Sequence, residues 1–246
     1  SRVTGLLHYA FDAFQILPRS VEDVITERLA SGVVSITEVR NGDVPVQSRV
    51  TFQGVTVIGY DDFFIYVSTP EGGANSGFRI TDRERTMPVN QGDKIDADLI
   101  VLSESTGRLN QARRIGPARG PEAAIVDETA FRADEFRYAL VQLERLTVAN
   151  PDPFLEFVEE DDDIRVYGDS SAAFELTAAT VSRRLMVPSF PFLRAGDLFD
   201  ALIGVRLDHG YELIEDGVLV EKNTAAIAPR EATDFINYRP TCDARL

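Results

Sequence analysis

A short phrase returns three times along this chain. It reads Ile16-Leu17-Pro18-Arg19-Ser20, then Ile115-Gly116-Pro117-Ala118-Arg119, then Ile227-Ala228-Pro229-Arg230. A second phrase returns as well, as Gln91-Gly92-Asp93-Lys94-Ile95-Asp96-Ala97 and Ala195-Gly196-Asp197-Leu198-Phe199-Asp200-Ala201. Repetition on this scale marks a chain built from copies of one module, and it constrains the fold before any side-chain chemistry is considered. The chain of 246 residues has room for two modules of about 100 residues each.

The pattern between the phrases predicts strands. Arg49 to Ile58 is rich in β-branched residues and alternates as a half-buried strand does. Asp62 to Val67 follows the turn at Gly59-Tyr60-Asp61. Ser76 to Thr81 follows the turn-rich Thr69 to Asn75. Asp93 to Ser103 reads as a fourth strand and Gly107 to Ile115 as a fifth. Ahead of them, Ser35-Ile36-Thr37-Glu38 is a capping box that opens a short helical turn. The second copy is longer. Its first strand is Tyr138 to Val148. A hairpin pairs Leu155 to Val158 with Ile164 to Tyr167, and Ala172 to Thr177 is a further strand. Ala195-Gly196-Asp197 opens a fourth strand to about Leu207, and Gly217 to Ile227 is the fifth. Pro188 and Pro191 exclude a central strand from Pro188 to Phe192.

The N-terminal piece, Gly5 to Arg19, reads as the closing two strands of a module whose first three are absent. Ser20 then caps a linker helix carrying Val21, Val24, Ile25 and Leu29 at helical spacing. The predicted organisation is a partial repeat with linker helix over 1–32, one module over 33–119, and a second with a C-terminal tail over 120–246. The unpaired edges of a partial module invite self-association through the N-terminal strands.

Charge narrows the partners. The chain carries a net charge of −15. Tight nucleic-acid binding is not expected, because neutralising phosphates takes Lys and Arg that this chain does not gather into a stripe. The acidity is uneven: residues 33–119 hold 11 acidic and 10 basic side chains, whereas 127–175 hold 14 and 4. The run Glu159-Glu160-Asp161-Asp162-Asp163 lacks the alternate spacing and central Gly of a calcium loop, and reads as a solvated loop. The single Cys242 rules out an intrachain disulfide, and no apolar run is long enough for a membrane-spanning helix, so no membrane insertion is expected. The chain begins at Ser1 without Met, so a leader or lipid anchor ahead of it is an expectation.

Gly59-Tyr60-Asp61-Asp62-Phe63-Phe64-Ile65-Tyr66-Val67-Ser68-Thr69-Pro70-Glu71-Gly72-Gly73-Ala74-Asn75-Ser76-Gly77-Phe78 resembles a bacterial OB-like module. Such modules occur beside extracellular nucleases, in endonuclease/exonuclease/phosphatase proteins and in secreted lipoproteins of predatory and social bacteria. The shared phrase is an aromatic pair, a short strand, a Pro-Gly-Gly-type turn and Ser-Gly before an apolar residue. The second copy shares the opening strand, Gly196-Asp197 and Pro229-Arg230 but lacks the turn phrase. The resemblance implies an all-β fold of tandem five-stranded OB-like barrels with short linking helices, and an extracytoplasmic setting. It brings no catalytic residues.

The residues themselves offer no enzyme. A hydrolase needs a nucleophile with a positioned base, and the only histidines, His8 and His209, sit apart in matching regions. Two histidines and one cysteine, distant in sequence, do not make a zinc site. Glu71-Gly72-Gly73 is a turn and not a phosphate loop. The reading is therefore non-enzymatic, with no catalytic, cofactor-binding or metal residue. An OB barrel binds ligands on the face of its second and third strands, where aromatics stack beside basic groups. Strand neighbours point to opposite faces, so half of Tyr60, Phe63, Phe64, Tyr66 and Phe78 must fill the core. The expected ligand face is Tyr60, Tyr66, Arg79 and Arg83. Its expected ligand is protein or glycan; the alternative is an accessory nucleic-acid-binding module of an extracellular nuclease.

Overall fold

The computed structural model describes residues 31–84, 88–151, 172–177, 179–182, 184–185, 193–215 and 218–241, and the backbone of 2–3, 6–10, 13–17, 24–25, 155–158 and 163–166; within 172–175, 211–215 and 218–222 it likewise describes the backbone alone. At the N-terminus β1 (Arg2–Val3) pairs with β4 (Val24–Ile25), and β2 (Leu6–Ala10) pairs antiparallel with β3 (Ala13–Leu17) from Leu6↔Leu17 to Ala10↔Ala13. The hairpin expected within Gly5–Arg19 is present as a two-stranded sheet of its own. The linker helix is corrected: Val24 and Ile25 are strand, as suits two adjacent β-branched residues, and a short helix without packing is marginal. Ser20, Val21 and Leu29 lie outside the described residues.

From residue 31 a ring of strands closes on itself. β5 (Ser31–Val33) lies parallel to the start of β6 (Arg49–Tyr60). Between them α1 (Ile36–Arg40) is capped as its sequence dictates: Glu38 N–H donates to Ser35 Oγ at 3.1 Å, and Ser35 N–H donates back to the Glu38 carboxylate at 2.6 Å. β6, β7 (Phe64–Ser68) and β8 (Gly77–Thr81) are successive antiparallel neighbours. β9 (Asp93–Ser103) and β10 (Thr106–Pro117) form a hairpin. β10 joins β8 in parallel, and β9 returns antiparallel to β6. Phe52, Phe78, Ile80, Ile95 and Leu99 fill the interior, with Phe52 and Phe78 edge to face at 4.9 Å.

The same succession recurs. β11 (Ala124–Ile125) lies parallel to β12 (Leu140–Asn150), separated by α2 (Glu128–Arg132), which Asp127 caps through Ala130 N–H at 2.8 Å. The hairpin β13 (Leu155–Val158) and β14 (Asp163–Val166) follows as an insertion. β12 pairs with β15 (Ala172–Leu176), which pairs with β16 (Thr180–Ser182). β17 (Leu198–Glu215) and β18 (Val218–Ala228) form the closing hairpin; β18 is parallel to β16 and β17 antiparallel to β12. The distal part of β17 also carries β14. Strand order one-two-three-five-four, closing on one, is that of a five-stranded Greek-key barrel. The fold is all-β and OB-like. The sequence reading assigned no strand at Thr180–Ser182 and no helix at Glu128–Arg132.

The recurring Gly-Asp phrase is a turn device. Gly92 and Gly196 are left-handed (φ +83° and +89°) and each donates its N–H across the barrel at 2.8 Å, to Val57 O and to Val148 O. The aspartate that follows folds back on its turn: Asp93 accepts from Asn90 N–H and Asp197 from Arg194 N–H, both at 2.8 Å. The two aspartates are buried and differ in their other partners. Asp93 takes Arg114 of β10 at 2.6 Å. Asp197 takes the Tyr238 hydroxyl, Thr241 N–H and Thr241 Oγ1, each at 2.7 Å.

That difference follows from strand length. β10 covers β9 down to Pro117↔Asp93, whereas β18 stops at Ala228↔Val205. The rest of the β17 edge is covered by the tail, through β19 (Phe235–Ile236) against Ala201 and Leu202 and through Arg239 against Leu198. Tyr238 stacks on Phe199 at 5.1 Å.

Candidate ligand face

The outer face of β7 and β8 is set by alternation. Ile65, Val67, Phe78 and Ile80 point into the barrel, which puts Phe64, Tyr66 and Arg79 outside. This face is covered by the second barrel. Tyr66 is 1 % exposed, and its ring lies 5.9 Å from that of Tyr138, tilted by 47°. Arg79 is sandwiched, its guanidinium 4.5 Å from the Phe64 ring centre and 5.0 Å from that of Tyr138. Ile58 and Tyr66 from the first barrel share one buried cluster with Tyr138, Leu140, Leu185, Val205, Leu207 and Ala228 from the second.

Two glycines allow the approach. A Cβ on Gly77 would lie 2.1 Å from the Tyr138 carbonyl carbon, and one on Gly59 would meet Leu185 Cδ1 at 2.8 Å. The loops reinforce it, with Asn75 N–H donating to Glu135 O at 2.6 Å. The Arg40 guanidinium, buried at the end of α1, donates to Asp134 O and lies 3.5 Å from the Asp134 carboxylate. Burial depresses the Arg40 pKa, against the pull of Asp134.

Asp61 organises the rim. One carboxylate oxygen accepts from Phe63 N–H and Phe64 N–H at 2.8 Å each, closing the turn between β6 and β7. The other accepts from the Arg184 guanidinium at 2.7 Å and the Tyr66 hydroxyl at 3.2 Å. Arg184 also lies over the Phe64 ring at 5.0 Å. Burial first, and the Asp61 charge second, push the Tyr66 phenol far above its ordinary pKa; burial also raises that of Tyr138. Both phenols stay neutral at ordinary pH.

The four expected ligand-face residues are thus divided. Tyr66 and Arg79 lie together inside the contact between barrels, where Tyr66 has no surface to give a ligand while the barrels stay packed. Tyr60 is 46 % exposed and Arg83 is exposed, beyond the rim. Asp61, Phe64, Tyr138 and Arg184 join the arrangement, and the sequence reading did not select them. An aspartate two residues ahead of an aromatic pair signalled the turn. Nothing in the local pattern signalled Arg184 or Leu185. Among the described residues no group of His, Cys, Asp and Glu is placed to hold a metal ion, and no helix is long and apolar enough to cross a membrane.

No protein-family model and no curated protein matches the chain. A solved structure, the Stn1-ten1 complex of S. pombe, is similar over 35 % of this chain and 77 % of that one, at 9 % identity and a TM-score of 0.30.

Proposed function

We infer that this chain is a non-enzymatic binding or structural protein, a tandem of OB-like modules whose ligand is protein or glycan. The observation that carries the reading is the seat of Tyr138. The face that an OB barrel ordinarily offers to ligands here receives a protein side chain, between Tyr66 and Arg79. The module is thereby a protein-recognition unit already within its own chain. An envelope or exterior setting rests on the resemblance of residues 59–78 to modules of secreted proteins. The N-terminal hairpin, a two-stranded sheet by itself, keeps self-association through its edges within the proposal.

The accessory nucleic-acid reading has less support. The basic group of the face, Arg79, is engaged by two rings, and the net charge of −15 opposes phosphate. Biolayer interferometry of the whole chain against a glycan array, a panel of envelope proteins and a single-stranded DNA decides between them. The expected result is saturable binding to a glycan or protein and no submicromolar affinity for DNA near physiological salt. Submicromolar DNA binding with a steep salt slope favours the nuclease-accessory reading.

A further inference from the structure

The surface with which the second barrel docks has a counterpart on the first. In the second barrel Leu140, Val205 and Ala228 form one row across β12, β17 and β18, with Leu207 one step along, and all four are buried in the contact. In the first barrel the matching row is Arg49, Ile100 and Arg108 across β6, β9 and β10, with Leu102 one step along. The match is fixed by a pair of backbone bonds. Tyr138 N–H donates to Arg206 O and Arg206 N–H to Ala139 O; Gln47 N–H donates to Val101 O and Val101 N–H to Ser48 O. Gln47 and Tyr138 are both left-handed, at φ +71° and +61°.

The first barrel therefore displays the docking surface with different chemistry. Arg49 and Arg108 are exposed on either side of Ile100, and neither makes an ion pair or side-chain hydrogen bond among the described residues. Leu102 is 40 % exposed, and Val46, next to Gln47, is 49 % exposed. An apolar strip rimmed by charge is the pattern of an interaction site. Two unpaired guanidiniums on a module whose residues 33–119 are near charge balance, with 11 acidic and 10 basic side chains, fix the local sign of what fits.

We propose that Val46, Ile100 and Leu102, flanked by Arg49 and Arg108, dock an acidic protein segment that carries aliphatic side chains. The aliphatic groups sit on Ile100 and Leu102, and its carboxylates meet the guanidiniums bidentately. The proposal rests on the binding-protein reading and narrows it to one surface and one partner chemistry.

The test is fluorescence anisotropy on the whole chain with a labelled peptide of alternating Glu/Asp and Leu/Ile. Its Gln/Asn counterpart and an oligo-dT serve as competing probes. The acidic peptide should bind at low salt and weaken as salt rises. The Arg49→Glu/Arg108→Glu variant should lose at least about tenfold. The Arg113→Glu/Arg119→Glu variant, with the same net charge change, should stay within about twofold. Thermal melts of both variants check folding, since all four positions are exposed.

No binding by the native chain, or equal losses in the two variants, overturns the proposal. So does tighter binding of oligo-dT, and so does self-association abolished by Arg49→Glu/Arg108→Glu, which would make a second copy the occupant. A reversed-charge variant that keeps the glycan or protein ligands of the interferometry screen sinks this patch alone; a native chain with no ligand in either experiment sinks the wider reading.

Discussion

The ring of Tyr138 lies 5.9 Å from that of Tyr66, and the Arg79 guanidinium covers the Tyr138 ring at 5.0 Å. This contact joins two barrels that each have a core of their own. Tyr138 reaches it from a left-handed backbone (φ +61°), a conformation that costs a non-glycine residue free energy. The cost is offset by what Tyr138 buries.

The approach of the barrels at Gly77 is testable with one methyl group. Gly77→Ala places a Cβ 2.1 Å from backbone carbon, which a flexible side chain cannot relieve. We expect a loss of about 3 kcal/mol or more, beyond the ordinary range for overpacking. Gly120→Ala, with nothing within 4 Å of its added Cβ, should stay within about 0.5 kcal/mol. Urea denaturation of both variants measures the difference, and a Gly77→Ala chain as stable as the parent would show that the barrels do not pack as described.

What the sequence makes legible is local. β9 spans Asp93–Ser103, the residues its alternation predicts, and the Ser35-Glu38 capping box stands where it was read. Phe78 and Arg79 fall on opposite faces because strand neighbours must. Asp127 caps α2 without the Glu or Gln three residues on that completes a capping box, and β16, at three residues, is too short to show a period. The role of the face was not legible. Aromatics beside arginine suit a ligand and a neighbouring barrel equally well, and the residues that decide, Tyr138 and Leu185, lie far along the chain. Tyr138 reads as strand from its side chain, whereas its left-handed backbone recurs at Gln47, at the matching place in the first barrel, and belongs to the way each module enters its first long strand.

The Arg79–Tyr138 pair should couple. With Arg79→Ala, Tyr138→Leu and the double variant, the interaction term should fall between about 0.5 and 2 kcal/mol, as for a partly desolvated cation over a ring. Tyr138→Leu keeps the apolar bulk, so most of the term reports the stacking. Denaturation midpoints of the four proteins complete the cycle. Strict additivity would mean that Arg79 is held by Phe64 alone.

Asp197 gives the second barrel a pH dependence. Burial works to raise its pKa, but the bonds from Thr241 N–H, Tyr238 OH, Thr241 Oγ1 and Arg194 N–H outweigh it and hold it at about 2, below the usual 3.8. A depressed carboxylate stabilises fully above its unfolded value. That contribution is lost as pH falls from about 4 through about 2. Tyr238 mirrors it in alkali: burial and the bond to Asp197 push its phenol up to about 12 from 10, so its contribution fades as pH rises through that interval. Amide exchange of Leu198, whose N–H donates to Arg239 O, should accelerate at both extremes. Tyr238→Phe should abolish the alkaline limb and move the acid limb to higher pH; an unchanged acid limb would assign the low pKa to the other donors.

Deleting residues 235–246 tests whether the tail completes the second barrel. The deletion keeps Asp234 and its bonds to Arg230, at 2.7 Å and 3.0 Å, so the turn before the tail stays closed. It removes β19, the Arg239 bridge to Leu198 and the rings of Phe235 and Tyr238 beside Phe199. Asp197 then loses its three bonds from Tyr238 and Thr241 and keeps that from Arg194 N–H. Loss of these bonds to a carboxylate costs about 1–3 kcal/mol, and uncovering Phe199 adds about as much again. The backbone edge of β17 near Leu198 to Leu202 is left open, and open edges pair with other chains. The truncated protein should be less stable by about 3 kcal/mol or more. It should also associate with rising concentration, as sedimentation velocity would show. The first barrel covers the same edge with β10, so its amides should keep their protection in hydrogen exchange. A truncated chain that remains monomeric, with unchanged exchange at Leu198, would show that the tail lies on a barrel already closed without it.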